Sequence, residues 1–482
     1  MLLAGTCTII GAVAVPSAHA SGERHVDFNH DGFDDLVVPA PNESVGSISE
    51  AGAVTIMYGS AQGLTGTGSV TIDQDTPSVP DAARPRAEFG YTHAEGDFNG
   101  DGFTDLAVGS VETIGSVARA GAVTILWGSA QGITTTGSVE FTGDTVGVPD
   151  AQTAFSYFGS AVAAGDFDGD GHTDLAISAQ GAPVGAAHDA GLITYLKGGP
   201  SGLTPTGQVL HQGVPGLTGT PENGDEFGFA MAAGDLDGDG RADLVIGTPN
   251  ESAGSTQATG EVDIVYGQPS GLLPAHTLTY QAPHAPAQEQ FGVTVGVDAT
   301  VSPPNIFAYT PKPDFTGQVW RIVPHSSTPV YLLVRANGSH PDDQCGLGLA
   351  FGNFGGTAGN GMAIGCPGYI NFKGGMVEIR LNGGVNSAVR EITQETPGVP
   401  GGSELDDDMG WTLETRDLNG DGWDDLVIGV PYEDVGSIVD AGDFYVVYGG
   451  PSGLDTLHTQ VFTQETPGVP GASETNDLFG FV

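Results

Sequence analysis

One type of segment recurs seven times along this chain, and that repetition limits the fold more than any single motif. Strand-like runs opened by a small residue begin at Ala51 (AGAVTIMYGS), Ala120 (AGAVTILWGS), Ala190 (AGLITYLKGG), Thr259 (TGEVDIVYGQ), Thr316 (TGQVWRIVPH), Gly374 (GGMVEIRLNG) and Ala441 (AGDFYVVYGG). The copies are spaced 69, 70, 69, 57, 58 and 67 residues apart. A fixed period of this kind marks a propeller, a solenoid or an array. Within one period an FG-opened apolar strand is followed by an acidic turn, a second apolar strand, a polar connection, the recurring strand and a Pro-rich turn, such as TQETPGVPG at Thr393 and Thr463. Alternating apolar positions bounded by Gly and Pro read as half-buried strands, and no stretch has room for an amphipathic helix. Four short antiparallel strands per unit is the content of a propeller blade, whereas a solenoid coil of 20–30 residues is too short to match. The expected fold is therefore all-β: a seven-bladed β-propeller of four-stranded antiparallel blades over residues 21–482. The last residues, DLFGFV from Asp477, are an FG strand with no acidic turn after it, and the first acidic turn has no FG strand before it. The C-terminal strand is thus expected to close the first blade, pairing the sheet edges at the seam.

The acidic turn is DFNHDGFDD at Asp27, DFNGDGFTD at Asp97, DFDGDGHTD at Asp166, DLDGDGRAD at Asp235 and DLNGDGWDD at Asp417. Each has Asp or Asn at its first, third, fifth and ninth positions and Gly at its sixth. Calcium takes six to eight oxygen ligands at about 2.3–2.6 Å on a tightly turned loop, which is the donor set this pattern supplies. A helical calcium hand closes on a Glu at position twelve. Here an apolar β-branched run such as LAIS or LVIG follows the ninth residue at once, placing the loops in β-hairpins. In the fifth unit Asp298 stands without the acids that should follow, and in the sixth NFGGTAGNG at Asn353 has lost every carboxylate. Neither is expected to bind calcium, leaving about five ions.

The chain has 59 acidic and 13 basic residues, a formal charge of −46, which argues against nucleic acid and anionic membrane as partners. Met1 to Ala14 are apolar or small and Ala18-His19-Ala20 has the small-x-small cleavage pattern, so residues 1–20 read as an export signal cut after Ala20, although the usual basic n-region is missing. No other apolar run reaches membrane-spanning length. Cys7 leaves with the signal. Cys345 opens one strand of the sixth unit and Cys366 ends the next, so a hairpin there sets them face to face as a disulfide; two free buried thiols are the alternative. Such a bridge, closing about 21 residues, is expected to stand in for the missing ion.

Together these residues, FG followed by GD-x-[DN]-x-DG-x-x-DL-x-[IV]-G, resemble the FG-GAP repeat of integrin α-subunit heads. The resemblance covers nearly all of the mature chain, closely in five units and weakly in two. It implies a seven-bladed propeller with calcium in the hairpin loops of one face. The implied side-chain ligands are Asp27, Asn29, Asp31 and Asp35; Asp97, Asn99, Asp101 and Asp105; Asp166, Asp168, Asp170 and Asp174; Asp235, Asp237, Asp239 and Asp243; and Asp417, Asn419, Asp421 and Asp425. Phe33, Phe103, His172, Arg241 and Trp423 are implied to ligate through main-chain carbonyls, with the His172 ring turned to solvent.

No catalytic constellation has diagnostic spacing: there is no HExxH, no G-x-S-x-G elbow and no transition-metal cluster among the twelve histidines. The reading is a secreted calcium-binding adhesion or ligand-binding module for an extracellular protein or glycan. The alternative is a secreted phospholipase- or polysaccharide-active hydrolase or lyase, or a lectin, on the same propeller. The binding surface is expected on the rim or on the face opposite the ions, at the variable connections 42–50, 77–88, 111–119, 181–189, 250–259 and 431–440.

Overall fold

The computed structural model describes residues 25–149, 152–254, 256–282, 288–311, 317–324, 330–333, 344–356, 360–368, 374–381 and 389–482. The export signal read at 1–20 lies outside them. Seven antiparallel sheets follow one another along the chain, one per repeat. The first holds β1 (Leu36–Ala40), β2 (Ala53–Met57) and β3 (Val70–Ile72). The second holds β4 (Thr92–Gly96), β5 (Asp105–Ser110), β6 (Ala122–Trp127) and β7 (Thr134–Thr142). Five more four-stranded blades repeat that order over residues 158–210, 230–280, 294–333, 349–392 and 413–462 in turn, each sheet meandering outward from its FG strand.

Burial explains the strand sequences. The first three strands of β4 to β7 are buried almost throughout, while β7 alternates and is largely exposed. A blade packed between two neighbours hides both faces, so its inner strands are continuous apolar runs and only its outer strand keeps a wet side. The core is accordingly a set of sandwiches between blades. Val37, Val54, Ile56 and Ile72 of the first blade pack with Phe89, Leu106, Val108 and Leu126 of the second. Leu36, Val38 and Met57 pack with Val427, Phe444 and Val446 of the seventh, which closes the ring.

The seam differs in detail from expectation. The first sheet has three regular strands, and its inner edge is shared by both ends of the described chain. Gly480 N donates to Pro39 O (3.3 Å), the bond that Gly90 makes to Gly109 O in the second blade. At the other end of β1, Asp35 N donates to Val26 O (2.6 Å). Phe479 and Val482 are buried in the cluster joining the first and seventh blades. Closure therefore uses the C-terminal segment as expected, but for only part of the edge.

Cys345 and Cys366 are joined by a disulfide with Cα atoms 3.9 Å apart. It ties the open end of the hairpin whose strands pair from Leu349↔Ile364 to Asn353↔Asn360. The loop position lies at the other end, so the bridge fastens the sixth blade at a different point from an ion.

Candidate metal centres

All five acidic loops lie between the first two strand positions of a blade, at one end of the ring. Their geometry is set by hydrogen bonds to the backbone. In the third loop the Asp166 carboxylate accepts from the amides of Gly169 (2.7 Å), Asp170 (3.1 Å) and Gly171 (2.9 Å), Asp168 accepts from Asp170 N (3.2 Å), and Asp170 accepts from His172 N (3.0 Å). The bonds from the fifth and sixth residues recur at Asp27, Asp97, Asp235 and Asp417, and the fourth-residue bond recurs at Asp97 and Asp235. The sixth residue, Gly171, adopts φ +90°, a conformation that side-chain-bearing residues rarely take.

The ninth residue is a buried pin. Both oxygens of Asp105 accept main-chain amides, from Phe98 (3.0 Å) and from Gly128 (2.9 Å) on the strand beyond. Asp35, Asp174, Asp243 and Asp425 repeat the arrangement. Burial lifts Asp35, Asp105 and Asp425 to about 8, and Asp174 and Asp243 to about 7. A buried carboxylate gains most from a nearby cation. Ligand oxygens of Asp166, Asp168 and Asp174 lie within 4.8 Å of one another, as do those of Asp235, Asp237 and Asp239. Oxygens on a common calcium are spaced this way, since each stands about 2.3–2.6 Å from the ion. The donor set fits calcium: carboxylates and amide oxygens, without soft ligands. A bound ion would neutralise the loop carboxylates and lock the turn.

Two contacts between loops were not legible beforehand. The main-chain oxygens of the first two loop residues accept bonds from the following blade: Thr173 N to Asp97 O (3.0 Å) and Gly199 N to Phe98 O (3.0 Å), and at the ring closure Asp34 N to Asp417 O (3.3 Å) and Ser60 N to Leu418 O (3.1 Å). The seventh side chain lies over the previous loop. Phe103 meets His30 edge-on, with ring centroids 5.8 Å apart, and the His172 ring lies against Gly100 so closely that a Cβ there would fall 2.3 Å from it. His172 thus covers its neighbour instead of facing solvent. The loops overlap like shingles: Gly100, Gly169 and Gly420 at the fourth position give the covering His172, Arg241 and Phe33 their room, whereas the first loop has His30 there.

At the opposite end, the connections 42–50, 111–119, 181–189, 250–259 and 431–440 share one backbone form. Each carries a short bridge, such as Val45↔Ile48, Ile114↔Val117 and Val435↔Ile438. Their variation is in side chains at the tips, among them Glu50, Arg119, Asp189 and Asp440, and not in shape. Beneath them a Gln from one blade clasps a Glu from the next: Gln74 to Glu112 (2.6 Å), Gln212 to Glu251 (2.7 Å), Gln394 to Glu433 (2.7 Å) and Gln464 to Glu43 (2.5 Å). Between the second and third blades both partners are replaced together, by Gly143 and Ala182. Burial raises Glu43, Glu251 and Glu433 to about 7. The repeated offsets of Gln in TQETPGVPG and Glu in PNES were the available sequence signal.

A ring of seven antiparallel blades defines a β-propeller, here with acidic hairpin loops at one end. The chain carries five FG-GAP repeats, at residues 25–57, 89–126, 158–196, 227–265 and 409–447. It is related to phosphatidylinositol-glycan-specific phospholipase D of Rattus norvegicus (36% identity over 33% of this chain and 18% of that protein) and of Homo sapiens (30% over 46% and 25%). Integrin alpha-V of Gallus gallus is 28% identical over 46% of this chain and 19% of its own length. The match thus spans a quarter or less of each of these relatives. Among solved structures, AofleA from Arthrobotrys oligospora aligns with 78% of this chain at TM-score 0.37 and 9% identity. Among the described residues no helix is long and apolar enough to cross a membrane.

Proposed function

We propose that this protein is a secreted, calcium-stabilised propeller that binds an extracellular protein or glycan through the face opposite its metal loops. The observation that carries the reading is the division of labour between the two ends. One end holds five near-identical oxygen-rich loops, with all the ligand residues from Asp27 to Asp425 in one register. The other presents tips of one backbone form with different side chains, which is how a rigid scaffold diversifies recognition. Relatedness to integrin α chains and the export signal read at 1–20 support an extracellular site of action. Each ion adds folding free energy because the unfolded chain has no assembled site.

The test is calorimetric calcium titration of chelator-stripped protein, followed by binding to arrayed matrix proteins and glycans with and without EDTA. About five calcium equivalents and a ligand retained only with calcium are expected. Turnover of phospholipid or polysaccharide in place of binding would redirect the reading to an enzyme.

A further inference from the structure

The five loops do not carry equal numbers of carboxylates. At the third position the loops starting at Asp27, Asp97 and Asp417 have Asn29, Asn99 and Asn419, whereas those starting at Asp166 and Asp235 have Asp168 and Asp237. The two loops with the extra acid are also the two with a basic side chain on their carboxylates. Lys197 Nζ pairs with Asp168 and lies 2.7 Å from Asp170 Oδ2. Arg241 pairs with Asp239 while its Nε donates to Gly267 O (3.0 Å). Counting ligand positions and these bases, every loop has the same net charge of −3.

The position of Lys197 has a structural cause. Gly198 N donates to Asp174 (2.8 Å), which holds the end of that strand beside the loop. The residues preceding the equivalent glycines are Tyr58, Trp127, Tyr266 and Tyr448. Tyr58 and Tyr448 reach to the next blade, where their hydroxyls accept from Ile133 N (3.1 Å) and Leu64 N (2.8 Å). In the third blade the tyrosine is displaced by two residues, to the same side of the strand. Tyr195 bonds to Asp174 (2.9 Å) and fills the space against Gly271. That leaves position 197 free to turn its side chain onto the loop.

We propose that Lys197 and Arg241 are built-in counter-charges, matched to Asp168 and Asp237, that hold the calcium affinity of the third and fourth loops down to that of the other three. The inference rests on the calcium reading above. A fixed positive charge beside a divalent site repels the ion, whereas an added carboxylate strengthens the same site, so the two offset. Neither basic side chain is itself a ligand, Arg241 being implied to ligate only through its main-chain carbonyl.

The test follows each loop separately: calcium is titrated into the stripped full chain while amide exchange of peptides covering each loop is read by mass spectrometry. In the unaltered protein all five loops gain protection with midpoints within about threefold. Lys197→Met should lower the midpoint of the third loop alone by about tenfold, Asp168→Asn should raise it by about tenfold, and the double variant should return to near the starting value. Arg241→Met should do for the fourth loop what Lys197→Met does for the third. If the other loops are protected normally but neither Met variant shifts its own loop downward, the counter-charge role is overturned and calcium binding stands. If no loop of the unaltered protein gains protection at millimolar calcium, the calcium reading falls and takes this inference with it.

Discussion

The arc running from the seventh blade through the first to the fourth and the pair formed by the fifth and sixth blades share one sheet plan but not one loop chemistry. In the arc, carboxylates shape each turn, and the first-residue carbonyls Asp27 O, Asp97 O, Asp166 O and Asp417 O each accept from the next blade. The sixth blade has none of the carboxylates, yet Asp424 N still donates to Asn353 O (2.9 Å) and Gly450 N to Phe354 O (3.4 Å). Stitching between blades is therefore a main-chain property that outlives the metal set. The sixth blade adds a disulfide at the far end of its hairpin, where the arc has none. The difference teaches that pairing of apolar strands makes the blade, while the acidic loop is a separate fastening, cation-dependent under the function proposed above.

Chelation should break the comparison most visibly. At a hundred times its Kd each bound ion contributes about 2.7 kcal/mol, so stripping calcium should lower Tm by about 10 °C or more. Amide exchange should rise in the arc well before it rises in peptides of the sixth blade. Equal loosening of both regions would make the ring one cooperative unit without regional dependence on ions. A smaller effect is expected from Asp105→Ala, which strands the amides of Phe98 and Gly128 in the interior. It should cost about 3 kcal/mol in urea unfolding, whereas Asn305→Ala, at the matching place in the fifth blade, should cost about 1 kcal/mol.

Replacing both Cys345 and Cys366 with Ser should cost about 3 kcal/mol in the chain-entropy account, by the same amount with and without calcium. A loss that appears only in the calcium-free protein would couple the bridge to the loops. The smallest effect concerns the Gln–Glu clasps. Glu43, Glu251 and Glu433 stand at about 7 in the folded chain against 4.5 ordinarily, so the folded state holds more protons between those values. Stability of the calcium-saturated protein should therefore be greatest at the acid end and fall as pH rises from about 4.5 to 7. Converting all three to Gln should flatten that part of the Tm profile. The junction of Gly143 and Ala182, which has no clasp, marks where the second and third blades should open independently of pH.

The local sequence already contained the number of blades, the strands of each, the loops and the register of their acidic residues, and the Cys345–Cys366 pairing. All of these depend on neighbours within one hairpin, where side-chain alternation and turn residues act over a few positions. The sharing of the first blade's inner edge by Val26 and Gly480, the His172 ring laid on Gly100, the turn of Lys197 onto Asp168, and the clasps from Gln to Glu were decided only by the tertiary structure. The shared edge, the His172 contact and the clasps join residues from neighbouring blades or from opposite ends of the chain, and the Lys197 contact joins a loop to a separate strand of the same blade. Hairpin rules carry no information about which side chains the closing of a ring brings within reach, because that depends on how one sheet is stacked and twisted against the next.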